Sequence, residues 1–205
     1  MHSATEIVAI VASACFVAAG LVLLRLHTLP TGLDWRIDAV SDYGTGAYHL
    51  YYRVMVGLLG VGAALLVVAL ARDTQAGNVG LVFLGAFAAS RVAIAFFMTD
   101  PRGKPPTTEG RVHFVLATIA FTSIAFAAGH VTSDLVDLPG WSDGGIEDWL
   151  RFESSAVVVT ALLTLIAYLV PQVRERVFGI VERCLYVASL AWLLTTSIHL
   201  AVLVG

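Results

Sequence analysis

Six apolar runs, each about 20 residues long, constrain the fold of this chain more than any other feature of its sequence. A helix needs roughly 20 apolar residues to cross a hydrocarbon core of about 30 Å. The sequence therefore predicts an all-α fold, a polytopic membrane bundle of six transmembrane helices in a single domain over residues 1–205. The helices are expected near residues 5–25, 50–71, 79–98, 112–132, 153–171 and 180–203.

The low content of charged residues indicates the same class of protein. Only 13% of the residues are charged, whereas soluble domains have roughly a quarter. We therefore expect a multi-pass protein of the cell (plasma) membrane, with membrane lipids as its partners. The net charge of −3 and the lack of a dense basic tract exclude nucleic-acid binding. The sequence leaves the cofactor unknown, and it leaves open whether the chain assembles with its own copies or with a partner membrane subunit.

The distribution of positive charge predicts the orientation in the membrane. Nine basic residues lie in or beside the odd-numbered connections, and two lie in the even-numbered ones. Because positively charged loops stay in the cytoplasm, the odd connections are expected inside and both termini extracytoplasmic. The nine are Arg25, Arg36, Arg53, Arg102, Lys104, Arg111, Arg174, Arg176 and Arg183, and the two are Arg72 and Arg151.

Small residues predict where helices pack closely. Gly57, Gly60 and Gly62 lie within one short part of the second run. Small side chains let backbones approach each other where lipid is as apolar as leucine. We therefore expect the second helix to make close contacts through these glycines.

One loop and one charge stand out as polar features. The segment 38–53 carries Ser41, Asp42, His49 and Arg53 just before and at the start of the second run. Arg91 lies inside the third run, roughly 13 Å from its predicted cytoplasmic end. A guanidinium costs at least about 2.5–3.5 kcal/mol at such a depth, so we expect an anionic partner. Asp42, Asp100, Glu182 or a lipid phosphate could provide it.

Further polar residues are expected at the same cytoplasmic level. Asp100 ends the third run and His113 opens the fourth, and only about a dozen residues separate them. Arg183 comes from the start of the last run. The sequence therefore predicts one ligand-binding set without a metal, which consists of Ser41, Asp42, His49, Arg53, Arg91, Asp100, His113 and Arg183.

Each of these residues also has a structural interpretation. Asp100 before a proline is a common helix end, and His113 could be an interfacial histidine. Ser41 and Asp42 could form a turn or a helix cap. Arg91 could form a structural ion pair. No GxSxG, HExxH, Walker or GxGxxG motif is present, so the sequence leaves open whether the chain is an enzyme.

Three short motifs resemble a known family of membrane proteins. They are Val40-Ser-Asp-Tyr-Gly44 before the second helix, Phe96-Phe-Met-Thr-Asp-Pro101 at the end of the third, and Val112-His-Phe114 at the start of the fourth. Together they resemble the bacterial and archaeal family called domain of unknown function 998, and are similar to the Frag/DRAM/Sfk group.

The resemblance implies a fold and a set of residues. It implies six membrane helices, and the residues that match its motifs are Ser41, Asp42, Gly44, Asp100, Pro101 and His113. Relatives in the Frag/DRAM/Sfk group are associated with lipid remodelling or lipid distribution, so the resemblance also implies lipid handling. Arg91 in mid-helix departs from the matched motifs.

Three hypotheses follow for function. The first is a protein that binds a lipid headgroup or other amphiphile at a polar pocket on the cytoplasmic side, with arginines holding an anionic group. The second is an intramembrane hydrolase in which Asp42, His49, Asp100 and His113 bind a metal that activates water. The third is a structural or accessory membrane subunit whose polar cluster only locks the helices together.

Overall fold

A computed structural model describes residues 3–74, 76–101 and 104–205, and within these ranges the chain is helical, without strands. Arg102, one of the basic residues that predict the orientation, lies outside the described residues. A short 3₁₀ helix, Val40–Thr45, lies between α1 and α2. The six α-helices are α1 Ala4–Thr28, α2 His49–Asp73, α3 Asn78–Ile94, α4 Thr108–Leu135, α5 Ile146–Leu169 and α6 Pro171–Val204.

Most of these helices fit an integral membrane protein. In the described part of the chain, five helices are long and apolar enough to cross a membrane, and α3 is apolar but has only 17 residues. Many large apolar side chains are exposed on the outside of the bundle, such as Leu21, Val82 and Leu162. Such a surface matches a multi-pass membrane protein, because lipid accepts apolar side chains that water would not.

The helices form a closed ring. Each helix packs against the next one along the chain, and α6 returns to pack against α1. Fully buried side chains such as Phe16, Leu84, Ile124 and Trp192 fill the centre. The Trp192 indole N–H donates to the Thr132 hydroxyl at 2.9 Å, so this bulky side chain is also satisfied as a donor.

Two of the three predicted glycine contacts are confirmed. A Cβ on Gly60 would lie 2.8 Å from the Ala88 carbonyl oxygen, so α2 and α3 touch backbone to backbone there. A Cβ on Gly62 would lie 2.7 Å from the Phe16 ring of α1. Gly57 faces open space. The two close contacts hold α2 between its neighbours, as packing without a hydrophobic driving force requires.

Helix α3 is shorter than the sequence predicts. It ends at Ile94, and the expected continuation to residue 98 is replaced by tight turns. The amides of Ala95, Phe96 and Phe97 each donate to the carbonyl three residues earlier, which is how a helix narrows at its end. The following segment is then free to fold back under the bundle toward α4.

The connection between α5 and α6 also differs from expectation. The segment 172–179, which the predicted spans leave between the fifth and sixth helices, is helical, and α5 also begins earlier than predicted, at Ile146. The break between the helices is confined to Val170, which has an extended conformation before Pro171. Proline restricts the residue before it and fits the first position of a helix, so it ends α5 and begins α6 at once.

The 3₁₀ helix and the loop before it are docked on the start of α6. Gly179 makes this possible, because a Cβ there would lie 2.6 Å from the carbonyl oxygens of Trp35 and Asp38. The amide of Ile180 donates to the carbonyl of Arg36 at 3.1 Å. The first connection is therefore a packed part of the bundle at the end where α3 meets α4 and α5 meets α6.

Candidate functional site

A groove of about 1340 Å³ runs along the bundle and is lined mainly by α4 and α5. Its walls along the helices are mostly apolar, with Phe114, Phe121, Leu162 and Leu165 among them. At one end it reaches the docked first loop, the α3–α4 connection and the start of α6. It exceeds the roughly 300–1,000 Å³ of ordinary small-molecule pockets.

The carboxylates, the lysine and the arginines of the groove collect at that one end, which we call the polar end. Acidic and basic side chains are equal in number there, and a histidine and a serine lie among them. The polar end consists of Ser41, Asp42, Asp100, Lys104, Arg111, His113, Arg174 and Glu182. Four of these, Ser41, Asp42, Asp100 and His113, belong to the set predicted from sequence.

Asp100 organises the α3–α4 connection. Its carboxylate accepts hydrogen bonds from the Thr107 amide at 2.9 Å and the Thr107 hydroxyl at 2.7 Å. These bonds lower the pKa of the Asp100 carboxyl below its ordinary value. Thr107 in turn caps α4, since its hydroxyl accepts from the amide of Gly110. A Cβ on Gly110 would collide with the Asp100 carboxylate, so a glycine is needed at this contact.

His113 joins α4 to the end of α3. Its Nδ1 lies 2.9 Å from the carbonyl oxygen of Phe97, which belongs to the turns that end α3. The side chain is buried, and its ring lies 6.5 Å from that of Tyr52. An imidazole that donates through Nδ1 to Phe97 keeps Nε2 as an acceptor, so one histidine can hold the helix end and still offer a polar atom.

Two acidic residues hold the docked loop. Glu182 Oε2 accepts from the amide of Val40 at 2.6 Å, and Asp42 Oδ2 accepts from the amide of Ala39 at 2.9 Å. Carboxylates are strong acceptors for such orphan amides at the start of a short helix. Glu182 is only 3% exposed and lines the groove. Among the described residues, its carboxylate accepts no hydrogen bond other than the one from Val40.

Arg183 faces the loop and lies outside the groove. Its guanidinium donates to the carbonyls of Asp38 and Gly179 and to the ring nitrogen Nε2 of His27. Tyr43 completes this contact, with its hydroxyl 3.3 Å from the guanidinium. Because these acceptors use the guanidinium on several sides, Arg183 joins α1, the first loop and α6.

Arg91 is enclosed by aromatic rings instead of carboxylates. Its guanidinium carbon lies 4.9 Å from the ring centres of both Phe121 and Tyr186, and 5.3 Å from that of Phe87. It donates to the Tyr186 hydroxyl at 2.9 Å, and its Nε has no hydrogen-bond partner. No ion pair involving Arg91 occurs among the residues that the structure describes, so cation–π contacts carry much of its stabilisation.

His49 and Arg53 lie apart from the groove. His49 is exposed, with its Nδ1 3.2 Å from the Gly46 carbonyl oxygen. Arg53 is half-buried on α2, and its Nε is buried without a partner. Within residues 3–74, 76–101 and 104–205 no group of three or more His, Cys, Asp or Glu side chains could hold a metal ion. The described geometry therefore does not assemble the metal set of the hydrolase hypothesis.

Four residues of the polar end were not in the predicted ligand set: Lys104, Arg111, Arg174 and Glu182. The three basic residues are exposed, and Arg174 lies over the Tyr168 ring at 4.8 Å. They occur in the count of positive charge that predicts the orientation. The sequence places these three residues in the odd-numbered connections, but that placement does not show which of them line the same groove.

Comparisons with known proteins give one match. A family described as Protein of unknown function (DUF998) matches residues 9–199, in agreement with the resemblance carried by the motifs around Asp42, Asp100 and His113. No curated protein and no solved structure matches the chain.

Proposed function

Since this chain belongs to the DUF998 family, a family of unknown function, we propose a function from its own geometry. The chain binds a membrane lipid headgroup or similar amphiphile at the polar end of the groove. The observation that carries this proposal is the continuity of one groove from a charged end to apolar walls. An amphiphile needs both surfaces at once, because its polar group and its hydrocarbon must be satisfied together.

The basic residues of the polar end suit an anionic group such as a phosphate. Lys104, Arg111 and Arg174 come from three different segments, and each lines the groove. Arginine binds phosphate in a bidentate manner, and lysine contributes a point charge. Ser41, Asp42, Asp100 and His113 would orient the same headgroup by hydrogen bonds. The structural roles of Asp100 and His113 fix their side chains in place, which lowers the entropy cost of binding.

Arg91 contributes to this proposal from behind the groove wall. Phe121 lines the groove on one side and lies against the Arg91 guanidinium on the other. A buried charge that makes no direct ion pair acts through several ångströms where the dielectric is low. An Arg91→Leu variant is therefore expected to retain less anionic lipid, and unchanged retention would contradict this role.

The proposal includes a place and an orientation in the cell. The protein crosses the plasma membrane six times, with α3 as the shortest span, and both termini are extracytoplasmic. The distribution of basic residues between odd and even connections supports this orientation. The polar end then lies at the cytoplasmic leaflet, where anionic lipids concentrate.

Native mass spectrometry of gently solubilised protein tests the binding directly. The test variant is Arg111→Gln/Arg174→Gln, and the matched control is Arg72→Gln/Arg176→Gln, which removes two exposed charges outside the groove lining. We expect the wild type and the control to retain a phospholipid, and the test variant to lose it at matched thermal stability. Equal retention by both variants, or no retained lipid in the wild type, would overturn the proposal.

A further inference from the structure

The groove continues well beyond the polar end. Besides phenylalanines such as Phe114 and Phe121, its α4 wall carries small or hydroxyl side chains, and these are all exposed: Thr118, Thr122, Gly129 and Ser133. Their spacing of four, seven and four positions places them on one face of the helix. We call this face the α4 track.

The groove is long enough to connect the two membrane surfaces. From Arg111 to Ser133, both of which line it, α4 extends about 33 Å at roughly 1.5 Å per residue. The hydrocarbon core of a bilayer is about 30 Å thick. The far end is polar as well, with His130 and Ser133 in the lining. Polar groups therefore occur at both ends of the groove and between them.

Exposed polar groups at this depth are unusual for a membrane helix. Polar side chains within membrane spans normally face the bundle interior or a water-filled cavity. The Thr118 hydroxyl bonds to the Phe114 carbonyl, whereas no hydrogen bond to the Thr122 hydroxyl occurs among the described residues. Hydroxyls that line an open groove allow water or a headgroup to enter it, which lowers the cost of moving a polar group through hydrocarbon.

The wall opposite the α4 track suits the rest of a lipid. On α5 the groove is lined by Val158, Leu162 and Leu165, and the two leucines are exposed. These side chains offer an apolar surface to acyl chains that stay in the bilayer. The hydroxyl-bearing face of α4 therefore lies beside apolar side chains of both helices, such as Phe121 on α4 and Leu162 on α5.

We propose that the α4 track lets phospholipid headgroups pass between the two leaflets, while their acyl chains remain in the bilayer along α5. This inference rests on the proposed binding at the polar end, which would be the cytoplasmic entry. The passage is passive and down a concentration gradient, and the sequence has no Walker motif that would couple it to a nucleotide. Lys104, Arg111 and Arg174 would attract the phosphate at the entry, and Gly129 leaves room for it along the track.

A transfer assay in vesicles tests this inference. Purified full-length protein is reconstituted into phosphatidylcholine and phosphatidylglycerol vesicles that contain a trace of fluorescent phospholipid, and a membrane-impermeant reductant is added. Lipid that reaches the outer leaflet is quenched. We expect wild-type vesicles to lose fluorescence beyond the outer-leaflet fraction, and protein-free vesicles to stop there.

Two double variants locate the path. Thr122→Leu/Gly129→Leu fills the α4 track, and a side chain at Gly129 enters open space and does not collide with the backbone. The control, Gly85→Leu/Ser155→Leu, adds leucines at two positions outside the groove lining. We expect several-fold slower transfer in the track variant and the wild-type rate in the control. Equal rates in the two variants would overturn the inference.

The two proposals fail in different ways. A wild-type protein that retains lipid in native mass spectrometry but transfers none overturns the track and leaves the binding site. A protein that neither retains nor transfers lipid overturns both. If the track variant changes oligomeric mass while transfer stays at the wild-type rate, a second copy covers the groove, and the inference is overturned.

Discussion

At the scale of single residues, half of the side chains at the polar end have a hydrogen-bonded structural partner and a place in the groove as well. Asp100 binds Thr107, His113 binds the end of α3, and Glu182 binds the docked loop. A side chain held by such bonds keeps one orientation. The groove therefore presents these carboxylates and the imidazole in fixed positions, which favours recognition of a polar group over loose adsorption.

The hydrogen bonds of Asp100 predict a dependence of stability on pH. Because they lower the pKa of the Asp100 carboxyl in the folded state, their contribution is fully present above the ordinary pKa of 3.8. It is lost as the pH falls through the lower folded value. We expect Asp100→Asn to flatten the decrease in melting temperature between about pH 5 and about pH 2.

The measurement is thermal unfolding in detergent over this pH range. The control is Asp137→Asn, which changes an exposed aspartate in the α4–α5 connection. It should keep the wild-type pH dependence. If the melting temperatures of wild type and Asp100→Asn decrease identically at low pH, the Thr107 contact does not contribute to stability.

The contact between Arg91 and Tyr186 predicts an energetic coupling. Tyr186→Phe leaves a buried guanidinium N–H without its acceptor, which costs about 1–3 kcal/mol. In an Arg91→Met background the same change removes no such partner and should cost much less. A double-mutant cycle measured by unfolding in mixed micelles should therefore give a coupling of roughly 1 kcal/mol or more. Strict additivity would contradict the contact.

At the scale of helices, close packing on one side of the bundle contrasts with the open groove on the other. Gly60 and Gly62 bring α2 against its two neighbours. Between α4 and α5 large side chains such as Phe121 and Leu162 line the groove. A tightly packed half keeps the ring closed, so the bundle can tolerate an opening between one pair of helices.

Gly60 is the most sensitive position in the tightly packed half. A Cβ there would meet the Ala88 carbonyl oxygen and the Val92 amide nitrogen, both at 2.8 Å, so the helices must separate. We expect Gly60→Ala to lower the free energy of unfolding by about 1–3 kcal/mol. Gly57→Ala is the matched control on the same helix, because its Cβ meets nothing within 4 Å. Equal stability of the two variants would contradict the close approach.

At the scale of the whole molecule, the sequence predicts the elements better than the site. Runs of apolar residues define helices, since each span must satisfy its own backbone in lipid. The short connection from Asp100 to His113 also brings both residues to one level, as expected. Periodicity cannot say which neighbouring helices leave a gap, so the position of Arg111 and Arg174 on a groove required the structure.

The surroundings of Arg91 could not be predicted from the sequence either. A buried arginine predicts an anionic partner, and the expected ones were carboxylates at the same level of the membrane or a lipid phosphate. In the structure those of Asp100 and Glu182 are held by Thr107 and Val40, and aromatic rings enclose the guanidinium. Aromatic residues are so common in membrane helices that their sequence positions do not distinguish a cation–π enclosure from ordinary packing.

The orientation of the bundle in the membrane can be tested, and it decides which leaflet the polar end of the groove faces. The first loop and the α3–α4 connection meet at the polar end, while the α4–α5 connection lies with the termini, since Gly140 receives a hydrogen bond from His199 near the end of α6. After Cys15 and Cys184 are replaced by alanine, Thr45→Cys and Ser142→Cys introduce exposed thiols at opposite ends.

A membrane-impermeant maleimide should label Ser142→Cys in intact cells and Thr45→Cys only after permeabilisation, because positive loops stay inside. The reverse pattern would place the basic polar end outside, where it could not draw lipid from the cytoplasmic leaflet. Labelling of both thiols in intact cells would contradict a bundle whose two ends lie on opposite sides of the membrane.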